Sequence, residues 1–256
     1  MTYRLSIAVA LVCLASSARA DFRADYETVK GSADDIVPSV THFELAGARL
    51  RMDTSRVSVL VDGSSNGSVI VLTHARRQYL DLQKVADTRS ASKARAEAAL
   101  ANLPPEQRAM VQQRMGAAAA GAAAKFDVSY APTGGSDRVG GLACQIFALQ
   151  INGRHAADSC LADLADTTIS PADRTALRQA FERIEAMSSR MSGGGFRSPI
   201  SAMPAGKFPV QTTHFDDSGN VTHVSRLKAL STARVDAGDF AIPAGYTEQA
   251  FGGPAH

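Results

Sequence analysis

Gly140 to Leu161 reads GGLACQIFALQINGRHAADSCL and contains Cys144 and Cys160, the only cysteines after residue 20. Asn152-Gly153 separates two apolar arms. Asn-Gly supplies the positive φ of a tight primed turn, so the stretch is expected to form a β-hairpin with one cysteine on each arm. A two-residue loop at Asn152 and Gly153 sets Gln145 opposite Cys160; bringing Cys144 opposite needs a three-residue loop or one bulge. Two cysteines in an exported chain are most simply a disulfide. Closing this loop contributes about 3 kcal/mol through the unfolded state. A redox or metal pair lacks C-x-x-C spacing and any basic or histidine-rich neighbourhood beyond His155.

Export is read from the start of the chain. Arg4, the apolar run Ile7 to Leu14 and the small-x-small triplet Ala18-Arg19-Ala20 have the layout of a secretory leader, Met1 to Ala20, cleaved before Asp21. Its apolar part is too short to span a bilayer, and no later stretch is apolar enough to do so. Cys13 follows Val12 rather than a small residue, which argues against lipid attachment. The expected mature chain, 21–256, is one domain, periplasmic or secreted. The whole chain has 27 Lys and Arg against 25 Asp and Glu; the leader takes Arg4 and Arg19 and no acid, leaving 25 against 25. A neutral chain has no electrostatic footprint for nucleic acid or an anionic membrane.

Period-two alternation dominates the first third. Phe22, Ala24, Tyr26 and Thr28 alternate with Arg23, Asp25 and Glu27; Thr41, Phe43 and Leu45 follow; Ala48, Leu50 and Met52 then alternate with Arg49, Arg51 and Asp53. Val57, Val59 and Val61 lead through the turn-rich Asp62 to Gly67 into Ser68 to Thr73, and Tyr79 to Leu82 completes an antiparallel meander with one wet face. Helix formers fill Ser90 to Met115, interrupted by Pro104-Pro105, which predicts two helices with a corner. The run Gly116 to Ala124 is low in complexity. Ser170-Pro171 announces another helix, with Ser170 as N-cap. Leu177, Phe181, Ile184, Met187 and Met191 form one stripe of it, facing a core or a ligand. Ser188 to Gly206 reads as a flexible loop, a second hairpin turns at Ser218-Gly219-Asn220, and Phe240 to Tyr246 reads as a final edge strand. The expected class is α+β: a curved antiparallel sheet, an unclosed β-barrel of about ten strands, with two or three helices across its concave side.

Candidate chemistry is sparse. A two-residue turn at Ser218-Gly219 places His214 and His223 directly across from each other with Asp216 on the same face, a candidate N,N,O metal site. A three-residue loop with Gly219 as bulge residue sends the two histidines to opposite faces. There is no G-x-S-x-G, and the S-x-x-K letters at Ser90 come without K-T-G or S-D-N. Gly193 to Gly195 follows a helix instead of joining a strand to one, so it is not a phosphate loop. No cofactor and no catalytic residue are expected, and the absence of Trp argues against sugar or single-strand stacking platforms.

Several segments together carry a resemblance: LRMD (Leu50 to Asp53), VDG (Val61 to Gly63), VIVLTHARRQYLDL (Val69 to Leu82), LPPEQRAMVQQRM (Leu103 to Met115), GLAC with SCLA, and FAIPAGY. In this order they resemble a family of exported bacterial proteins of unknown function, itself distantly similar to the LolA and LppX type of periplasmic lipoprotein and lipid carriers. The resemblance implies a strongly curved, unclosed sheet with helices across its concave side, and it brings no catalytic residues. The leading functional expectation is non-enzymatic: a lipid or acyl chain, or a lipoprotein, held between the sheet and the stripe Leu177, Phe181, Ile184 and Met187. The alternative is a structural or protein-partner module of the envelope in which those residues are core. Metal handling by His214, Asp216 and His223 comes third. A filled concave side favours the partner module, and an apolar pocket favours the carrier.

Overall fold

The computed structural model describes residues 21–30, 39–111, 113, 127–192 and 199–250. The proposed leader, Cys13 with it, and the Ala/Gly run lie outside the described residues. Strands β1 (Asp21–Lys30), β2 (Ser39–Ala46), β3 (Arg49–Asp53), β4 (Val57–Asp62), β5 (Val69–Thr73) and β6 (Gln78–Asp81) form one antiparallel meander. Strands β7 (Val128–Val139), β8 (Leu142–Ile151), β9 (Arg154–Asp163), β10 (Lys207–Phe215) and β11 (Val221–Ser231) form a second. The two meet where β1 pairs with β11, and a short β12 (Thr247–Glu248) runs parallel to β6. The result is a single unclosed sheet of 12 strands with β7 and β12 outermost, the architecture the resemblance implies.

Alternation assigns the faces of the first meander. Phe22, Leu45, Leu50, Val61 and Val69 stand opposite one another from strand to strand and are all buried, forming an inner row of the core. Next to it, Tyr26 points inward and donates from its hydroxyl to the Pro209 carbonyl at 2.6 Å, tying β1 to a bulge of β10 across the intervening strand. Burial pushes that phenol's pKa well above its ordinary value, so the hydroxyl stays a donor.

Helix α1 (Leu82–Ala101) begins eight residues before Ser90, directly at the end of β6, because Asp81 caps it by accepting from the backbone N–H of Gln83 and Lys84. The expected corner follows: residues 105–111 form α2, and Arg108 donates to the carbonyls of Leu100, Ala101 and Leu103 at the end of α1. Helix α3 (Pro171–Ser192) starts with a reciprocal capping box. Asp173 N–H donates to Ser170 Oγ at 3.1 Å, and Ser170 N–H donates to Asp173 Oδ2 at 2.8 Å. The helix lies on the inner face of the first meander. Its approach needs Gly63: a Cβ there would stand 2.7 Å from the Ala48 carbonyl oxygen and 3.2 Å from the Ala180 nitrogen.

Four expectations are corrected. The cysteines are not directly opposed: Asn152 and Gly153 both have positive φ and make a two-residue turn, but Ala156 bulges out of β9, so Cys144 pairs with Ala162 and Cys160 with Ile146. The disulfide forms on the diagonal, with Cα atoms 5.3 Å apart. Ser188 to Gly206 is not one loop, since α3 runs to Ser192 and a single turn, α4 (Pro199–Ala202), follows. Phe240 to Tyr246 is not a strand: a 3-10 turn covers Ala237–Phe240, and the pairing residues are Thr247–Glu248. Last, the outer face of β1 to β3 is not simply wet, because the chain after β11 crosses it as a strap.

Candidate functional site

The stripe proposed for an apolar ligand is built into the core. Leu177 and Met187 are buried, Met187 completely, with Ala176 and Ala180 among Leu45, Leu50, Val61 and Val69; Phe181 and Ile184 are partly buried against the same cluster. A helix with small alanines between larger side chains can approach a sheet closely, and α3 uses that freedom to bury Leu177 and Met187 on the inner side.

His214 and His223 do come together, by a route that combines both turn geometries. Asp216 N–H donates to the Asn220 carbonyl and Gly219 N–H to the Asp216 carbonyl, with Gly219 at φ +81°, so the loop is the longer kind. A second irregularity at Thr222 restores the register, and His214 stands directly opposite His223. Their rings stack with centroids 4.1 Å apart and planes 14° from parallel. Two imidazoles holding one ion must aim in-plane lone pairs at a common point about 2.0–2.1 Å from each nitrogen. Stacked rings send those lone pairs along neighbouring planes that do not converge. Asp216 is occupied elsewhere, accepting from the backbone of Ser218 and Asn220 and from the Asn220 amide. The Asn220 bonds, above all the backbone one, hold its carboxyl below the ordinary value. Among the described residues, no three His, Cys, Asp or Glu side chains are grouped to hold a metal.

The stack has a pH consequence. Desolvation, and then the neighbouring His223, hold the His214 imidazole below its ordinary pKa. A base with a depressed folded pKa binds fewer protons folded than unfolded, so the stability this pair contributes is complete above the ordinary imidazole value and is lost as pH falls through the folded one. Thermal unfolding between about pH 7 and about pH 5 should show the wild type losing more stability than His214→Gln. Parallel curves for the two proteins would remove the pair from the pH response.

Beside this stack, the tips of the β8–β9 and β10–β11 hairpins frame an open cleft of about 710 Å³ lined by Arg154, His155, Phe215, Asp216, Asp217 and Gly219. Its polar groups are already partnered: His155 Nε2 lies 2.8 Å from Asp158 Oδ1, and Arg154 lies 3.3 Å from Asp217.

The outer face holds an arrangement that the sequence did not announce. Arg51 donates to Asp53 and to the Asp239 carbonyl, Arg49 stacks its guanidinium over the Phe240 ring at 4.9 Å, and Arg23 bridges Glu44 at 2.7 Å. Further along the strap, the Tyr246 hydroxyl lies 2.7 Å from His74 Nδ1, and His74 Nε2 lies 2.9 Å from Ser58 Oγ. A serine bonded to a histidine is the start of a nucleophile–base pair. Here Ser58 is fully buried and the histidine's other nitrogen meets a phenol rather than a carboxylate, so the trio acts as a polar clamp on the strap. The signal for it was the isolated His74 in a run of strands, which had no partner until the strap was in place.

No family model matches the chain, and no curated protein matches it. Among solved structures, it is similar in chain path to an uncharacterized conserved protein from Thermus thermophilus, at 6% identity and a TM-score of 0.43, covering 90% of this chain and 89% of that one. It is also similar to PNGF-II, at 8% and 0.40 over 91% of this chain, and to the Pseudomonas aeruginosa MucA/MucB complex, at 13% and 0.31 over 88% of it. The chain spans only 31% and 56% of those two. Likenesses this loose bear on neither activity nor partner. What the fold and the site define is a class: an unclosed antiparallel sheet with a helix packed on its inner face.

Proposed function

We propose that this is a non-enzymatic binding module of an exported compartment, and that its ligand is a protein partner. The observation that supports this is the burial of Leu177 and Met187 in the core, which leaves these two no free surface to offer a lipid unless α3 leaves the sheet. A disulfide between Cys144 and Cys160 fits an oxidising compartment. Strand β7 pairs only with β8 among the described residues, so Val128 to Ala131, ahead of Pro132, leave an edge on which an extended peptide can add a strand.

Native mass spectrometry of protein taken gently from its exported compartment, followed by organic extraction, tests the reading. The expected result is protein free of stoichiometric lipid, together with one discrete protein adduct when a photo-cross-linker replaces Ser129 and none when it replaces Asp166. Lipid at near one-to-one amounts would overturn it and restore the carrier.

A further inference from the structure

Asp21, the residue that follows the Ala18-Arg19-Ala20 triplet, lies in β1 and pairs with Ala46. Asp21 lies on an open cleft of about 720 Å³ where the β2–β3 turn, the end of β4 and the strap converge. The ionisable side chains lining it are Asp21, Asp62 and Asp236 against Arg49 and Arg234, one negative charge in excess. Asp62 Oδ1 accepts from Ser64 N–H at 2.9 Å and Asp236 Oδ1 from Gly238 N–H at 2.8 Å. Asp21 Oδ1 is buried and has no hydrogen-bond partner. Arg49 is engaged by the Phe240 ring and by the Ala237 carbonyl at 3.5 Å. A buried carboxylate oxygen without a donor is costly, and a cation at its side removes the cost.

We infer that hydrolysis of the Ala20–Asp21 peptide bond supplies that cation: the α-ammonium of Asp21 completes the cleft and ties the start of β1 to the end of β4 and to the strap. The chemistry balances with water alone. The hydroxyl goes to the Ala20 carbonyl carbon, the nitrogen of Asp21 takes the proton as the C–N bond breaks, and the amine formed is protonated near neutral pH. Three carboxylates then face three cations. The strap, already held by Arg49, Arg51 and His74, thereby gains one more tie in the processed chain, so maturation adds to the stability of the fold. This inference does not rest on the identity of the partner.

The test compares the exported protein with two variants produced the same way: one with a single glycine inserted between Ala20 and Asp21, and Asp62→Asn. Intact mass should place the natural N-terminus at Asp21. Labelling of its amine by an amine-reactive reagent near neutral pH should be slowed about tenfold relative to an ordinary α-amine. The glycine-extended protein should label at the ordinary rate and melt at a lower temperature, and Asp62→Asn should recover part of the labelling rate. An N-terminus elsewhere overturns the inference, as does an Asp21 amine that labels at the ordinary rate.

Discussion

Met187→Ala is expected to destabilise the protein by about 2–5 kcal/mol, the range for removing a large buried apolar side chain and leaving a cavity. Met187 is fully buried in α3, within the same core cluster as the inner-face residues of the first meander. Because α3 is seated closely enough that a Cβ on Gly63 would stand 3.2 Å from the Ala180 nitrogen, the helix has little room to settle into the void. Equilibrium urea unfolding measures the effect, and the midpoint should fall with an unchanged slope. The same experiment separates core from ligand site. If Met187 lined a pocket filled by a lipid, the lipid-free protein would lose far less on truncation, because no packing would be broken. A loss below about 1 kcal/mol would therefore return the stripe to the ligand reading.

The inner half of the molecule was legible because one physical rule governs it. Phe22, Ala24 and Tyr26 alternate with charges, and alternation in a strand needs only a wet side and a dry side to be read correctly. The cap at Ser170 was legible for a similar reason, since Ser-Pro-x-Asp satisfies local backbone donors within four residues. What escaped was either a single inserted residue or a contact between distant segments. Ala156 and Thr222 each shift a register by one, and neither alanine nor threonine marks a bulge in the way a positive-φ glycine marks a turn. The first bulge moved the partner of Cys160 from Gln145 to Ile146, one residue further from Cys144, and the second rescued the His214–His223 pairing from a loop that would have split it. Arg23, Arg49 and Arg51 look like solvent-facing charges until Asp239 and Phe240 arrive from the far end of the chain. Polar side chains can cover a sheet face as well as decorate it, and composition does not distinguish the two uses. The stripe on α3 was located correctly, but its choice between core and ligand depended on how closely the helix sits, which is a property of Gly63 and Ala180 rather than of the stripe.

Replacing both cysteines, Cys144→Ala with Cys160→Ala, is expected to cost about 3 kcal/mol, mainly by freeing the unfolded chain. For a domain of this size, that corresponds to a fall of roughly 6 to 12 °C in melting temperature. The bond spans a sequence separation of 16 residues and joins adjacent, antiparallel strands already held by a primed turn. Its loss should consequently leave the native pairing of β8 and β9 intact while unfolding becomes easier. Both sulfurs sit in the core, each residue no more than 5% exposed, so reduction of the folded protein should be slow and should quicken when unfolding is promoted. Hydrogen exchange decides between an entropic staple and a register lock. A staple predicts that amide protection in β8 and β9 falls by the same free energy as the rest of the slowest-exchanging core. A selective loss there would mean that the diagonal bond holds the bulged register against a slip that would set Gln145 opposite Cys160, the pairing an unbulged two-residue turn prescribes.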